Sequence, residues 1–431
     1  MATTYLTRTP GSAGSTTKGT FSFWVKRGVI TSDMYLWTNF ANSTNWSAIG
    51  INNVDQVYFY AESGGSAVAN LKTNRVFRDP SAWYHIVVAL DSTDGTADDR
   101  VKIYINGVQE TSFVQRTNPS SSADLGISEA VPMEIGRYGG GSAYFDGSMA
   151  NVEFVDGTAL TPAYFGSTDS TTGIWTPQAA STISSYGTNG FKLKMDTATP
   201  GADTSGNTNT FTVGGGTPTL TQGNPDNNYA CMNPLFAGDN SAITYSNGNL
   251  KTTATSEGQK NAVSTIGVSS GKWYCEMVSR NGNNYPGFGI MDSQSILQTS
   301  ILYLGSSVDS YCMFQDGNYY TNGSAVSTGT TWGVGSIMGI SIDLNSATKT
   351  IKFYKNGAEE HSATIATPAN DYVFAVSHNT NGTITEMNFG EGFFGTTAAG
   401  TNADGNGQGL FAYAVPSGYY ALNTKNLEAY G

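Results

Sequence analysis

The chain has 431 residues, enough for two domains of about 200 residues each. Only 13% of its residues are charged and the net charge is −12, with 21 Lys and Arg against 33 Asp and Glu, a balance that argues against nucleic acid as a partner and reads first as solubility. Three cysteines, an odd number without metal-ligand spacing, call for no disulfide framework, and no apolar run approaches the roughly 20 residues of a membrane span.

Abundant Gly, Ser, Thr and Asn beside 12% aromatic residues suit short strands joined by many turns. The first expected strand is Gly19 to Val25, with Phe21, Phe23 and Val25 on one face. Ile49 to Ile51, Gln56 to Ala61, Trp83 to Leu90, Val101 to Ile105, Met133 to Gly136 and Phe145 to Phe154 follow, separated by turns as in a sandwich or barrel. Leu160 to Phe165, opened by Thr161-Pro162, is expected as a single helical turn; no longer stretch has helical spacing and caps. From Ser167 to Gln222 the apolar density falls, and the segment is expected as a connector lying along the first domain, with strands at Gly190 to Met195 and Thr210 to Val213. Beyond Asn224 strands are expected at Ile243 to Ser246, Asn249 to Thr252, Gly271 to Met277, Gly287 to Ile290, Tyr311 to Phe314, Tyr372 to Val376, Met387 to Gly390 and Tyr419 to Leu422. The plan is a domain over 1–166, a connector over 167–223 and a second domain over 224–431.

One unit of grammar occurs twice. Trp83 leads into Ile86 to Leu90, an acidic turn from Asp91 to Asp99, alternating Val101, Ile103 and Ile105, and Asn106-Gly107. Trp332 leads into Ile337 to Ile342, a turn from Asp343 to Thr348, alternating Ile351 and Phe353, and Asn356-Gly357. From the Trp to the Asn is 23 positions in the first copy and 24 in the second. Each copy reads as antiparallel strands with one buried face, closed by a turn in which Asn-Gly supplies the positive φ angles. Two domains of one architecture are implied.

Both halves resemble concanavalin A-like jelly-roll sandwiches in tandem, an all-β fold. The first, through Trp83-Tyr84-His85, Val101 to Gly107 and Phe145 to Ala150, resembles a laminin-G-like domain, and Phe154 to Gly166 is similar to the terminal segment of that domain in marine bacteriophage proteins. The second, through Gly271 to Glu276, Ile351 to Gly357, Asn388-Phe389-Gly390 and Val415 to Tyr419, resembles a SPRY domain, from whose pattern the Thr396 to Gly409 insertion departs. Gly187 to Phe191, Asp203 to Val213 and Asn227 to Leu235 resemble joining segments of the same phage family. The resemblance implies a structural protein, not an enzyme, on the outside of a tailed-phage virion: a compact tail appendage, short fibre or capsid decoration. Its expected partners are other virion proteins and a host surface polysaccharide or receptor, with no nucleic acid, membrane or cofactor, and a homo-oligomer is left open. Met1 to Tyr5 lack a signal peptide's charged start and apolar stretch, so folding in the host bacterial cytoplasm is expected before assembly at the virion surface. The alternatives are a purely structural decoration with no host ligand and a polysaccharide-degrading enzyme.

Catalytic patterns are sparse, and no catalytic or metal residue is assigned. Gly267 to Gly271 fits a nucleophile elbow, but a strand with Trp273 follows it instead of a helix. Glu153 and Asp156 are the nearest approach to a hydrolytic carboxyl pair. Asp91 to Asp99 and Asn402 to Gly407 hold acids and amides that leave calcium binding open. His85 is expected in a core or interface, with His361 and His378 flanking loops. Sugars expose apolar C–H faces ringed by hydroxyls, so aromatic rings beside amides and carboxylates are the candidate ligand sites. These are Asn42, Asn45 and Trp46; Asn283 and Tyr285; and Asp316, Tyr319 and Tyr320.

Overall fold

A computed structural model describes residues 3–179, 182–236, 242–281, 285–294, 303–366 and 371–431. The chain divides into two compact units, 1–220 and 221–431, each with two sheets facing one another across a core.

The first unit pairs an eight-stranded with a six-stranded sheet. The eight-stranded sheet runs, in spatial order, through Phe113–Thr117, Ser66–Val76, Gln56–Ser63, Asn45–Ile51, Met34–Asn42, Met133–Ile135, Tyr5–Arg8 and Thr212–Gly215. The six-stranded sheet runs through Phe191–Leu193, Gly147–Asp156, Lys18–Arg27, Trp83–Asp91, Val101–Ile105 and Val108–Gln109. Alternation sends Phe21, Phe23 and Val25 inward against Trp37 and Phe154, with Phe21 stacked 4.3 Å from Phe154. The expected connector is built into this sandwich: Phe191, Leu193 and Phe211 are core residues, and Thr212–Gly215 pairs with the Tyr5–Arg8 strand. The expected helical turn is present as a 3-10 turn over Pro162–Tyr164. At one end of the sandwich Asp55 receives Arg27 at 2.9 Å and Arg78 at 2.8 Å; the Arg27–Asp55 pair is fully buried.

The second unit repeats the plan. One sheet runs through Ile243–Ser246, Lys251–Ala254, Ile384–Asn388, Lys272–Ser279, Ile337–Asp343, Thr350–Lys355 and Ala358–Thr364, with Tyr420–Ala421 added in parallel to Lys272–Ser279. The other runs through Lys260–Val268, Tyr372–His378, Gly287–Asp292, Ser310–Phe314, Asn318–Thr321 and Ser324–Ser327. A seven-residue helix, Thr424–Tyr430, follows; the Asn423 side chain caps it by accepting from the Asn426 N–H at 2.9 Å. The Gly267 to Gly271 stretch is a strand-to-strand turn, pinned by the Trp273 indole donating to the Ser270 carbonyl at 2.7 Å.

The repeated unit has one structure in both places. Leu90 faces Val101 and Val88 faces Ile103 in the first, as Ile342 faces Ile351 and Ile340 faces Phe353 in the second. Both Asn-Gly turns take positive φ at both residues, 49° and 80° at Asn106-Gly107 and 48° and 83° at Asn356-Gly357. Each Asn also pins the turn to the preceding strand: Oδ1 of Asn106 accepts the His85 N–H at 2.8 Å, and Oδ1 of Asn356 accepts that of Ile337 at 2.9 Å. This register corrects the sequence alignment. His85 is equivalent to Ile337, so the two tryptophans are not equivalent: Trp83 opens its strand half-buried, whereas Trp332 lies outside the strand and buries its ring while donating to the Phe314 carbonyl. The histidine expectation changes for His361, which sits inside the Ala358–Thr364 strand; His378 flanks a loop as the last residue of Tyr372–His378, and is wholly buried.

Candidate functional site

The outer faces of three of the four large sheets are covered by the chain's own segments. In the first unit, residues 160–179 and 182–186 lie on the outside of the six-stranded sheet, where Val87, Val155, Phe165 and Tyr186 are buried together. Trp175 in that strap donates its indole N–H to Nδ1 of His85 at 2.8 Å. An indole nitrogen only donates, so Nδ1 must be the acceptor, and Nε2 carries the proton it directs 2.8 Å to the Ser22 hydroxyl. His85 is therefore turned the wrong way to take a proton from Ser22, and burial holds its pKa down to about 3. In the second unit, residues 409–421 cross the first-described sheet and bury Tyr229, Tyr274, Tyr354 and Phe411. The Glu276 carboxylate holds them there, accepting the N–H of Ala412 at 2.9 Å and of Tyr413 at 3.0 Å, with Tyr274 and Asn388 as further donors. That unit's other sheet is packed under Phe236, Tyr303 and Leu304.

The eight-stranded sheet of the first unit is the face left open among the described residues. Its strands put Val57, Phe59 and Ala61 into the core, so Tyr58, Tyr60 and Glu62 point outward. Register sets rows across the sheet: Lys72, Tyr58, Gly50 and Tyr35 in one; Asn70, Tyr60, Ala48, Thr38 and Glu134 in the next; Glu62, Trp46 and Phe40 in a third. Gly50, Ala48 and Thr38 make a floor of small side chains between aromatic walls. A Cβ at Gly50 would lie 2.7 Å from the Tyr58 hydroxyl, so glycine is what lets that ring lie across the floor.

Trp46 and Tyr60 are in contact at 4.8 Å between ring centroids, half-buried, and Tyr60 donates to Glu62 at 2.6 Å. Tyr35 and Tyr58 meet edge to face at 6.1 Å. Burial, reinforced by Glu62, pushes the Tyr60 hydroxyl up to about 12; burial also raises those of Tyr35 and Tyr58. The phenols stay neutral at physiological pH, so Tyr35 and Tyr60 offer hydroxyl groups, not charge, while Tyr58 is buried. Glu134 is clamped at both oxygens by Arg137, whose guanidinium lies 3.5 Å over the Tyr5 ring centroid. Chemically the face offers apolar ring surface edged by hydroxyls and one carboxylate, which matches a sugar ring.

Of the expected site residues, Trp46 belongs to this face. Asn42 and Asn45 lie at its edge with their amides turned to the local loop: Oδ1 of Asn42 accepts from the Thr44 N–H and hydroxyl and from Asn45, and Oδ1 of Asn45 accepts the Gly64 N–H. Tyr35, Phe40, Tyr58, Tyr60, Glu62 and Tyr138 were missed. Their signal was the outward phase of Tyr58, Tyr60 and Glu62 within one strand, masked because both faces of that strand are apolar or aromatic. In the second unit, Asp316 closes a turn by accepting the Asn318 N–H and amide. Tyr319 points into the core against Phe353 and His361, so it has no open ring face to offer a ligand. Tyr320 points outward and packs on Phe314 and Tyr303, and Tyr285 is exposed away from them. Asn283 lies outside the described residues.

The other acids also have structural partners. Asp404 accepts the N–H groups of Asn406, Gln408 and Ala421 and the Asn426 amide. Asp91 pairs with Lys18, Asp98 with Arg116 and Asp99 with Lys102, while Asp94 accepts the Thr96 N–H. Glu153 is held by Tyr186 and Lys192, and Asp156 by the Ser15 and Asn189 N–H groups. Among the described residues no group of three His, Cys, Asp or Glu side chains is placed to hold a metal ion.

Comparison with known proteins places both units. Residues 2–164 match the family model described as the concanavalin A-like lectin/glucanases superfamily, and residues 252–392 match that of the SPRY domain. Similar solved structures include the SPRY domain of human HERC1, at 19% identity over 36% of this chain and 96% of that one, with a TM-score of 0.31. Stonustoxin is similar at 20% identity over 37% of this chain and 27% of that one, TM-score 0.30, and a human SPRY domain at 19% over 34% and 94%, TM-score 0.28. No curated protein matches the chain.

Proposed function

We propose that this chain, a concanavalin A-like domain followed by a SPRY domain, is a non-enzymatic carbohydrate-binding protein that takes up glycan on the open aromatic face of its first domain. The observation that carries the reading is that the other three outer sheet faces are covered by the chain's own segments, while Trp46, Tyr60 and Glu62 stay half-exposed on the fourth. Aromatic area of this kind is worth covering, and no described segment seals it beyond the Arg137 to Tyr144 loop. A hydrolytic reading is less well supported, since retaining or inverting hydrolysis needs two working carboxyl groups and Glu134 is clamped by Arg137.

The setting we propose is the outside of a tailed-phage virion, where other virion proteins hold the chain and the face meets a host surface polysaccharide. The resemblance of the joining segments supports that setting. The test is a glycan array carrying mono- to hexasaccharide ladders of glucose, galactose, rhamnose and N-acetylglucosamine together with bacterial polysaccharides, probed with the purified full chain. Binding that Trp46→Ala weakens by about tenfold or more, roughly 1.4 kcal/mol, supports the reading. No bound sugar, or binding indifferent to Trp46, overturns it. Antibody labelling of phage particles in electron microscopy tests the setting separately, and particles without label reject it.

A further inference from the structure

The open face is not empty of the chain itself. Tyr138, carried on the loop after Met133–Ile135, places its ring 5.0 Å from Tyr35, 5.3 Å from Phe40 and 5.2 Å from Trp46. Those three residues come from both aromatic walls, so the ring stands between them over the floor of small residues. The Thr38 hydroxyl, part of that floor, donates to the carbonyl of Arg137, the neighbour of Tyr138, at 3.2 Å. The loop is fitted closely to this position. A Cβ at Gly139 would come within 2.2 Å of the Phe40 Cβ, and one at Gly140 within 2.6 Å of the Tyr138 ring. The Gly141 N–H donates to the Tyr138 carbonyl at 2.9 Å.

We infer that Tyr138 is a specificity residue that divides the face. It fills the middle of the trough and leaves two separated places: Trp46 with Tyr60 and Glu62 on one side, and Tyr35 with Lys72, beside the buried Tyr58, on the other. A ligand whose ring stacks on Trp46 runs into Tyr138 if its chain continues across the floor. The intact protein therefore selects a sugar ring at a chain end or branch, and disfavours internal stretches of a linear polysaccharide. Removing the ring joins the two places into one trough several sugars long. The inference rests on the carbohydrate reading above and adds the part of the glycan that is recognised.

The experiment compares the wild-type chain with Tyr138→Ala, Tyr138→Phe and Gly139→Ala on the same saccharide ladders, with circular dichroism to confirm folding. Gly139→Ala reaches the same state by a second route, because its methyl group forces the loop off Phe40 with the Tyr138 side chain intact. Expected is a rise of about tenfold in the hexasaccharide-to-disaccharide affinity ratio for Tyr138→Ala, a rise in the same direction for Gly139→Ala, and no change for Tyr138→Phe. Wild-type binding with an unchanged ratio in both opening variants overturns the divider and leaves the carbohydrate reading standing. No saccharide binding by any of the four proteins overturns both.

Discussion

The two units share a hairpin, an Asn-Gly turn and a strap, yet they attach the strap by different chemistry. In the first, strap side chains reach the sheet, Trp175 donating to His85 and Tyr186 to Glu153, beside main-chain bonds from Leu160 to the Thr20 hydroxyl and from Asp156 to the Tyr186 carbonyl. In the second, one fully buried carboxylate, Glu276, collects main-chain N–H groups of the strap. The glycine of each turn shows how closely the two solutions run in parallel. A Cβ on Gly107 would meet the Trp175 ring at 2.7 Å, and one on Gly357 would meet the Tyr413 ring at 2.6 Å. The same turn thus serves as a seat for an aromatic ring from the strap in both units, while the hydrogen bonds that hold the two straps are unrelated. Backbone geometry and the bond made by the turn's Asn transfer between the units; the polar chemistry of the strap does not.

The sharpest way to break the parallel is Glu276→Gln, which sets an amide donor against two N–H donors in a buried place. It should destabilise the second unit by about 3 kcal/mol or more and leave the first unit's transition unmoved, as resolved by two-transition calorimetry. A single shift shared by both transitions would contradict the separation of the two attachments. Acid provides the next test, because each unit holds one fully buried histidine with a lowered pKa, about 3 for His85 and about 4 for His378. Below the unfolded value near 6.5 the unfolded chain binds protons that the folded chain refuses, so each unit should lose up to about 1.4 kcal/mol per pH unit. The loss should level off near pH 4 in the second unit and continue toward pH 3 in the first. Unfolding free energies flat from pH 7 to 4.5 would reject this account.

Smaller effects sharpen the comparison further. Trp175→Ala removes a half-buried ring and the donor to His85, and should cost the first unit about 2–3 kcal/mol; Tyr413→Ala, with less to lose, should cost the second about 1 kcal/mol. Equal losses in denaturant titrations would show that ring burial alone matters. Asn106→Ala and Asn356→Ala remove equivalent bonds from equivalent positive-φ positions and should cost about 1–2 kcal/mol each, matching within error. Unequal losses would mean that the turns are not interchangeable.

The sequence carried the architecture wherever the alternation of side chains kept one phase. Lys18–Arg27, Trp83–Asp91 and Val101–Ile105 were legible because apolar residues at every second position of each enter the core between the sheets. Met34–Asn42 was not, since register shifts between Tyr35 and Trp37 and between Phe40 and Asn42 break the alternation. Ser66–Val76 hid because Ala69 and Thr73, which it buries, are small or polar. The helix Thr424–Tyr430 is too short to show a periodicity, although its Asn423 cap stands in the sequence.

The candidate site was legible only in part. Trp46 stood out beside Asn42 and Asn45, but Tyr58 and Tyr60 join it through strand pairing and Tyr138 through a distant loop, neither of which spacing reveals. Tyr319 and Tyr320 show the converse problem. Adjacent residues of a strand face opposite ways, so one entered the core and the other left it, and the local cluster of aromatics could not say which.

The pairing of Tyr5–Arg8 with Thr212–Gly215 bears on how the first unit is made. A strand near one end of the unit waits for a partner about 200 residues later, which at ribosomal speeds of roughly 5–20 residues per second is an interval of about 10–40 s. Through that interval the sheet edge at Tyr5 lacks this neighbour, and the core lacks Phe191 and Phe211. Nascent chains halted before Thr212 should therefore be cut readily by protease within residues 3–27, and chains halted well beyond it should resist. Synthesis would thus have a vulnerable stage of fixed length, ended by the arrival of one short strand.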